Sequence, residues 1–149
     1  MLIYTIGHST RTADELIRIL KAYEVRDLVD VKRFPTSQKN PHFSKQILQS
    51  MLPAVGIAYH WLGDELGGFR SGGYENYMET AEFFAGIDRI LGLAEEKVVA
   101  IMCAESLWFR CHRRFIADHL AGKGIEVIHI FDIRNAKPHT VNDDEREPE

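Results

Sequence analysis

The chain holds only two cysteines, Cys103 and Cys111, among 149 residues, too few for the disulfide frameworks that staple small secreted domains. It also lacks a positive balance: 18 basic side chains against 22 acidic ones leave a net charge of -4. That argues against bulk attraction to nucleic acid or an anionic membrane, while leaving room for a local basic patch. No apolar run approaches the ~20 residues needed to cross a bilayer. Met1 leads directly into Leu2-Ile3-Tyr4-Thr5-Ile6, without a basic segment or a small-residue cleavage site. The expected location is cytoplasmic, with no membrane partner and with both thiols reduced.

What is present is enough for a conventional core. Hydrophobic residues make up 45% of the chain, and a domain of this length buries about 70% of the surface its unfolded form exposes. The charge is uneven. Asp143, Asp144, Glu145, Glu147 and Glu149 outnumber Lys137 and Arg146 in residues 135–149, so the end of the chain carries most of the negative excess. The expected organisation is one domain over 1–134 and an acidic, disordered tail over 135–149.

Periodicity supplies the elements. Leu2–Ile6 is a short β-branched run ending at Gly7, and Thr12-Ala13-Asp14-Glu15 has capping-box spacing ahead of Leu16, Ile17, Ile19 and Leu20. Arg26–Val31, Ile57–Trp61, Val98–Met102 and Glu126–Ile130 are four further strand candidates. Helices are expected after Ser44, over Tyr74–Glu95 with an interruption near Gly86, and from Cys111 to Ala121. The glycine-rich stretch Leu62–Gly73 is expected to be a mobile loop. Strands alternating with long crossovers predict an α/β three-layer sandwich: an open, mainly parallel sheet of about five strands with helices on both faces.

Ligands of such sheets bind beyond the carboxyl ends of the strands. There this sequence puts Gly7-His8-Ser9, then Asp30-Val31-Lys32-Arg33, then Cys103-Ala104-Glu105 and Arg110-Cys111-His112-Arg113-Arg114. Cys103 is either a small core residue or a nucleophile whose thiolate is favoured by nearby cations. His8 and His112 are candidate proton carriers, and Glu105 a candidate orienting acid. Arg33 and Arg113 are expected to clamp an anion, helped by Lys32 and Arg110. Ser9, Asp30, Cys111 and Tyr77 complete the candidate substrate contacts, with Trp108 available to stack on a flat group. Six residues separate Cys103 from Arg110, one more than in the phosphate loop of cysteine phosphatases. Seven separate Cys103 from Cys111, which matches no common zinc spacing, so neither a metal nor a cofactor is expected.

The ordered series Thr5-Ile6-Gly7-His8-Ser9, Asp30-Val31-Lys32, Pro35-x-Ser37, Leu66-Gly67-Gly68, Tyr74-x-x-Tyr77-Met78, Met102-Cys103-Ala104-Glu105 and Cys111-His112-Arg113 resembles the family catalogued as domain of unknown function 488. The resemblance runs from about residue 3 to Ile130. It implies no particular activity, because the family is defined by sequence. Lys32 stands where the family more often has arginine, which replaces a planar fork by a point charge. The Phe69–Gly73 stretch is shorter than the insertion often found there.

Three functions fit these residues. The first is an enzyme acting on a small or nucleotide-like anionic substrate through a Cys/His/Arg pocket. The second is a non-catalytic module that binds nucleic acid or phosphate. The third is a redox-active pair formed by Cys103 and Cys111.

Overall fold

A computed structural model describes residues 1–35 and 40–141; Ser37 and the acidic residues beyond 141 lie outside that range. The first strand, β1 (Leu2–Gly7), runs into α1 (Ala13–Ala22), whose amino terminus carries the capping box between Thr12 and Glu15. Then come β2 (Asp27–Asp30), a one-turn 3-10 helix (Pro41–Phe43), α2 (Lys45–Ala54) and β3 (Ala58–Trp61). The second half holds α3 (Gly63–Leu66), α4 (Tyr74–Tyr77), α5 (Ala81–Ala94), β4 (Val99–Cys103), a 3-10 turn (Trp108–Arg110), α6 (Arg113–Gly122), β5 (Glu126–Ile130) and β6 (Ala136–Pro138).

The strands form one sheet in the order β3-β2-β4-β1-β5-β6, parallel except for β6. Pleating sends alternate side chains to opposite faces, and the core divides accordingly. Ile6, Leu28, Ala100 and Met102 pack with α1 and α2, whereas Val29, Val99, Ile101 and Cys103 pack with α5 and α6. The result is the expected three-layer α/β arrangement. The helices after β2 and β4 cover opposite faces, so the loops leaving those neighbouring strands part and open a crevice at their carboxyl ends.

Four local expectations change. The sheet has six strands, because Ala136–Pro138 pairs antiparallel with β5; the ordered body therefore extends past residue 134 into the segment expected as tail. Tyr74–Glu95 is two helices, parted at 78–80 where Thr80 accepts from the Phe83 N–H. Gly86 lies inside the second one, because a Cβ there would sit 2.6 Å from Leu66 Cγ: the glycine lets α3 approach α5. The glycine-rich stretch is also more regular than expected. It contains α3, and Arg70 ties it together by donating to the carbonyls of Gly63, Asp64 and Gly67.

Candidate functional site

The crevice is a cavity of about 640 Å³ lined by Lys32 and Arg33 from the end of β2, by Cys103–Glu105 after β4, and by Phe109–His112. Arg114 and Phe115 from α6, Tyr74 from α4, and Gly68–Arg70 complete the wall, with Phe34 at the rim. Five cationic residues, Lys32, Arg33, Arg70, Arg110 and Arg114, therefore line it with one carboxylate, Glu105. Phe34 and Phe69 are 63% and 84% exposed, and their rings lie 5.8 Å apart. Phe69 holds φ at +60°, a left-handed conformation that is costly for a bulky side chain. Arg33 donates to its carbonyl at 2.6 Å and holds the turn in place.

Two thiols share the cavity wall. Cys103 Sγ lies 3.0 Å from Cys111 Sγ, and both cysteines are free. Cys111 Sγ also accepts from the Arg113 N–H at 3.3 Å, at the start of α6. The hydrogen bond from Cys111 holds the Cys103 thiol below its ordinary range, against burial, and the Arg113 guanidinium adds to the effect. Cys111 is pushed far up, first by its hydrogen bond to Cys103 and then by burial. Of the two, Cys103 is thus the thiol that ionises more readily, with Cys111 as its hydrogen-bond donor in that state.

Arg113 is buried at 1% exposure and does not line the cavity. Its Nη2 donates to the carbonyls of Glu105 (3.1 Å) and Ser106 (3.3 Å), while Nε and Nη1 have no hydrogen-bond partner among the described residues. None of the ion pairs among those residues includes it. A buried cation without a carboxylate is expensive, and a thiolate on Cys103 offsets that cost. The loop it holds passes close to β1: a Cβ on Gly7 would meet the Glu105 carbonyl at 1.9 Å, so only glycine fits there.

His8 and Asp30 lie away from the cavity, with Lys32 between. His8 stacks on Phe43 at 4.4 Å, on the α1–α2 side of the sheet. Its Nδ1 donates to the Ser9 carbonyl, leaving Nε2 to accept from Lys32 Nζ at 3.0 Å. Lys32 Nζ also donates to Phe43 O at 2.7 Å and lies 3.8 Å from Asp30, which accepts from Tyr59 at 2.6 Å. Burial lowers Lys32 and raises Asp30, outweighing their mutual attraction at that distance. Burial, then Lys32, lowers His8 to about 4. Ser9 supplies backbone, at φ +47°.

His112 does line the cavity, but its Nε2 donates to Val31 O at 3.0 Å and burial lowers it to about 4. Arg33, Arg110, Cys111 and Glu105 all face the same space. Tyr77 and Trp108 do not. Tyr77 donates to Glu65 O at 2.6 Å and offers its ring face to Arg70 at 3.8 Å, so it braces a wall residue. Trp108 turns inward and stacks on His129 at 4.3 Å with an interplanar angle of 1°; its neighbour Phe109 takes the cavity side. Arg70 escaped the sequence reading because a lone base after two glycines has no periodicity to mark it. Among the described residues no cluster of His, Cys, Asp and Glu is arranged to hold a metal ion.

The fold and the cavity together define an α/β domain with a thiol pair at the carboxyl edge of a parallel sheet. The chain belongs to the family described as domain of unknown function DUF488, whose model matches residues 12–73 and 69–120. Neither a curated protein nor a solved structure matches it. No helix among the described residues is long and apolar enough to cross a membrane.

Proposed function

We propose that this chain is an enzyme in which the Cys103 thiolate attacks a small or nucleotide-like anionic substrate held by the cavity's cations. The observation that carries the reading is the charge arrangement around Cys103. A thiol poised to ionise opens on a cavity with Lys32, Arg33, Arg70, Arg110 and Arg114, and is backed by a guanidinium that pairs with no carboxylate among the described residues. Arginines suit this task because their planar forks match carboxylate and phosphate oxygens. The thiolate needs no histidine base, since Cys111 and Arg113 already favour it. His8, facing the other layer, keeps Lys32 in position in this reading. The aromatic rim formed by Phe34 and Phe69 suits a flat group attached to the anion.

Alkylation tests the proposal directly. At neutral pH Cys103 reacts with iodoacetate, an anion, faster relative to iodoacetamide than a model thiol does, and Arg110→Ala lowers that ratio. Inorganic phosphate or a nucleoside monophosphate slows the reaction. A Cys103 that stays unmodified until the protein unfolds ends the proposal.

A non-catalytic module for phosphate-bearing strands is the second reading, favoured by the two exposed rim phenylalanines beside arginines. Its mark is single-stranded nucleic acid retained at low salt and released steeply as salt rises. Retention of that kind by Cys103→Ser at wild-type strength, with an inert wild-type thiol, selects it over the enzyme.

A further inference from the structure

Resting on the nucleophile reading, we infer that Cys111 is a resolving thiol, and that the substrate class is an anionic low-molecular-weight disulfide rather than an acyl or phosphoryl compound. The juxtaposition that carries this is the 3.0 Å approach of Cys111 Sγ to Cys103 Sγ on the cavity wall.

An acyl or phosphoryl group on Cys103 is removed by water, and that water requires a base. The two histidines of this edge are poorly placed for it. His8 is outside the cavity with Nε2 accepting from Lys32. His112 gives its Nε2–H to Val31 O and keeps a lone pair on Nδ1, but burial lowers the ring to about 4, a weak base at neutral pH. Glu105, the carboxylate of the wall, is engaged by the Leu107 N–H. The nucleophile standing next to Cys103 is instead a second sulfur. A mixed disulfide on Cys103 offers that sulfur its proper electrophile.

The steps balance without a further reactant. The Cys103 thiolate attacks one sulfur of R–S–S–R, forming Cys103–S–S–R and releasing RS⁻. Cys111 then attacks Cys103 Sγ, the Cys103–S–S–R bond breaks, and the proton of Cys111 leaves with the second R–S group as RSH. The protein gives up two electrons and ends with a Cys103–Cys111 disulfide. A small thiol or dithiol returns it to the reduced state by the reverse exchange.

The surroundings favour each partner at its own stage. While Cys103 is free, the 3.0 Å contact between the sulfurs favours ionisation of Cys103 over Cys111, so Cys103 attacks first. Once Cys103 is capped, that competition ends. The Arg113 N–H donating to Cys111 Sγ at the start of α6 and the nearby guanidinium then favour the second thiolate. The cations of the cavity select an R group bearing carboxylates.

The test uses the full chain, glutathione disulfide as an anionic probe, and cystamine as a cationic one, followed by intact mass. Wild type loses two hydrogens and accumulates no adduct. Cys111→Ser and Cys111→Ala both accumulate one glutathionyl group on Cys103, and Cys103→Ser reacts much more slowly. Relative to a model thiol, glutathione disulfide outpaces cystamine by about tenfold or more. A wild type that keeps the glutathionyl adduct, as the Cys111 variants do, overturns the resolving role while the nucleophile stands. Equal rates with the two probes overturn the anionic substrate class. A Cys103 inert to glutathione disulfide and to iodoacetate alike removes both proposals together. Because the wild-type reading needs no substitution, a variant that fails to fold does not shelter the idea.

Discussion

Two buried polar groups flank the Ala104–His112 connection, and they are finished differently. On one side Thr5, His129, His139 and Asp118 form a continuous chain with links of 2.5, 2.8 and 2.7 Å, beneath the ring of Trp108. With both rings neutral, one arrangement serves every link: the Thr5 hydroxyl donates to His129 Nδ1, His129 Nε2 to His139 Nδ1, and His139 Nε2 to Asp118. On the other side Cys103, Cys111 and Arg113 leave two guanidinium nitrogens without a partner among the described residues, beside a cavity that both thiols line. A satisfied buried network rigidifies its surroundings, whereas an unsatisfied one marks a place where something else is meant to complete it. The first group fastens the edge strand β6 to the sheet. The second keeps a charge in waiting.

Three measurements test this contrast. The largest effect is on acid stability. His8 and His112 have folded values of about 4 against 6.5 for the free group, so between those pH values the unfolded chain binds more protons. Stability is therefore level above about pH 6.5 and falls as the pH drops towards 4, by about 3 kcal/mol for each histidine at the lower end. Denaturant midpoints across this range check it, and His112→Gln removes roughly half of the loss. A midpoint that stays flat down to pH 4 contradicts the buried, neutral assignment.

Next comes the satisfied network. His129→Ala strands the hydroxyl of Thr5 and one nitrogen of His139 and leaves a void under Trp108, a combination that costs about 3 kcal/mol. Its Cys103 alkylation rate at pH 7, measured on the folded fraction, stays at the wild-type value. The smallest effect in energy is the most telling. Arg113→Met removes the charge behind the thiol, so alkylation by neutral iodoacetamide at pH 7 slows about tenfold, equivalent to roughly 1.4 kcal/mol. Its unfolding free energy stays within about 1 kcal/mol of wild type, because removing a buried charge that has no carboxylate partner among the described residues offsets the loss of its two carbonyl hydrogen bonds. If Arg113→Met instead unfolds the domain and leaves the thiol as reactive as before, the two groups have been assigned the wrong way round.

Much of the framework was legible along the chain. The unbroken apolar run Val98–Met102 reads as a buried strand, and the strand formed, Val99–Cys103, is buried at every position; Thr12 and Glu15 announce α1 by their spacing alone. The gathering of Cys103, Glu105, Arg33, Arg110 and His112 at one edge followed from their positions at or just beyond the carboxyl ends of strands. Sidedness was harder. Asp30 and Cys103 end strands at that edge and His8 follows one, but the pleat places His8 and Asp30 towards α1 and α2, and Cys103 towards α5 and α6. Trp108 looked available because no periodicity claimed it; its partner His129 is 21 positions away on β5. Strand β6 was hidden for the same reason, since three residues before an acidic run have no signal until β5 is beside them.

Local order therefore came from the sequence through short-range physics: alternation, capping and glycine placement act between residues a few positions apart. The pairing of Cys103 with Cys111, the isolation of Arg113 and the separation of His8 from the thiols depend on the layer to which each side chain is sent. That was decided only when distant strands settled into register, because shifting a strand by one residue exchanges its two faces.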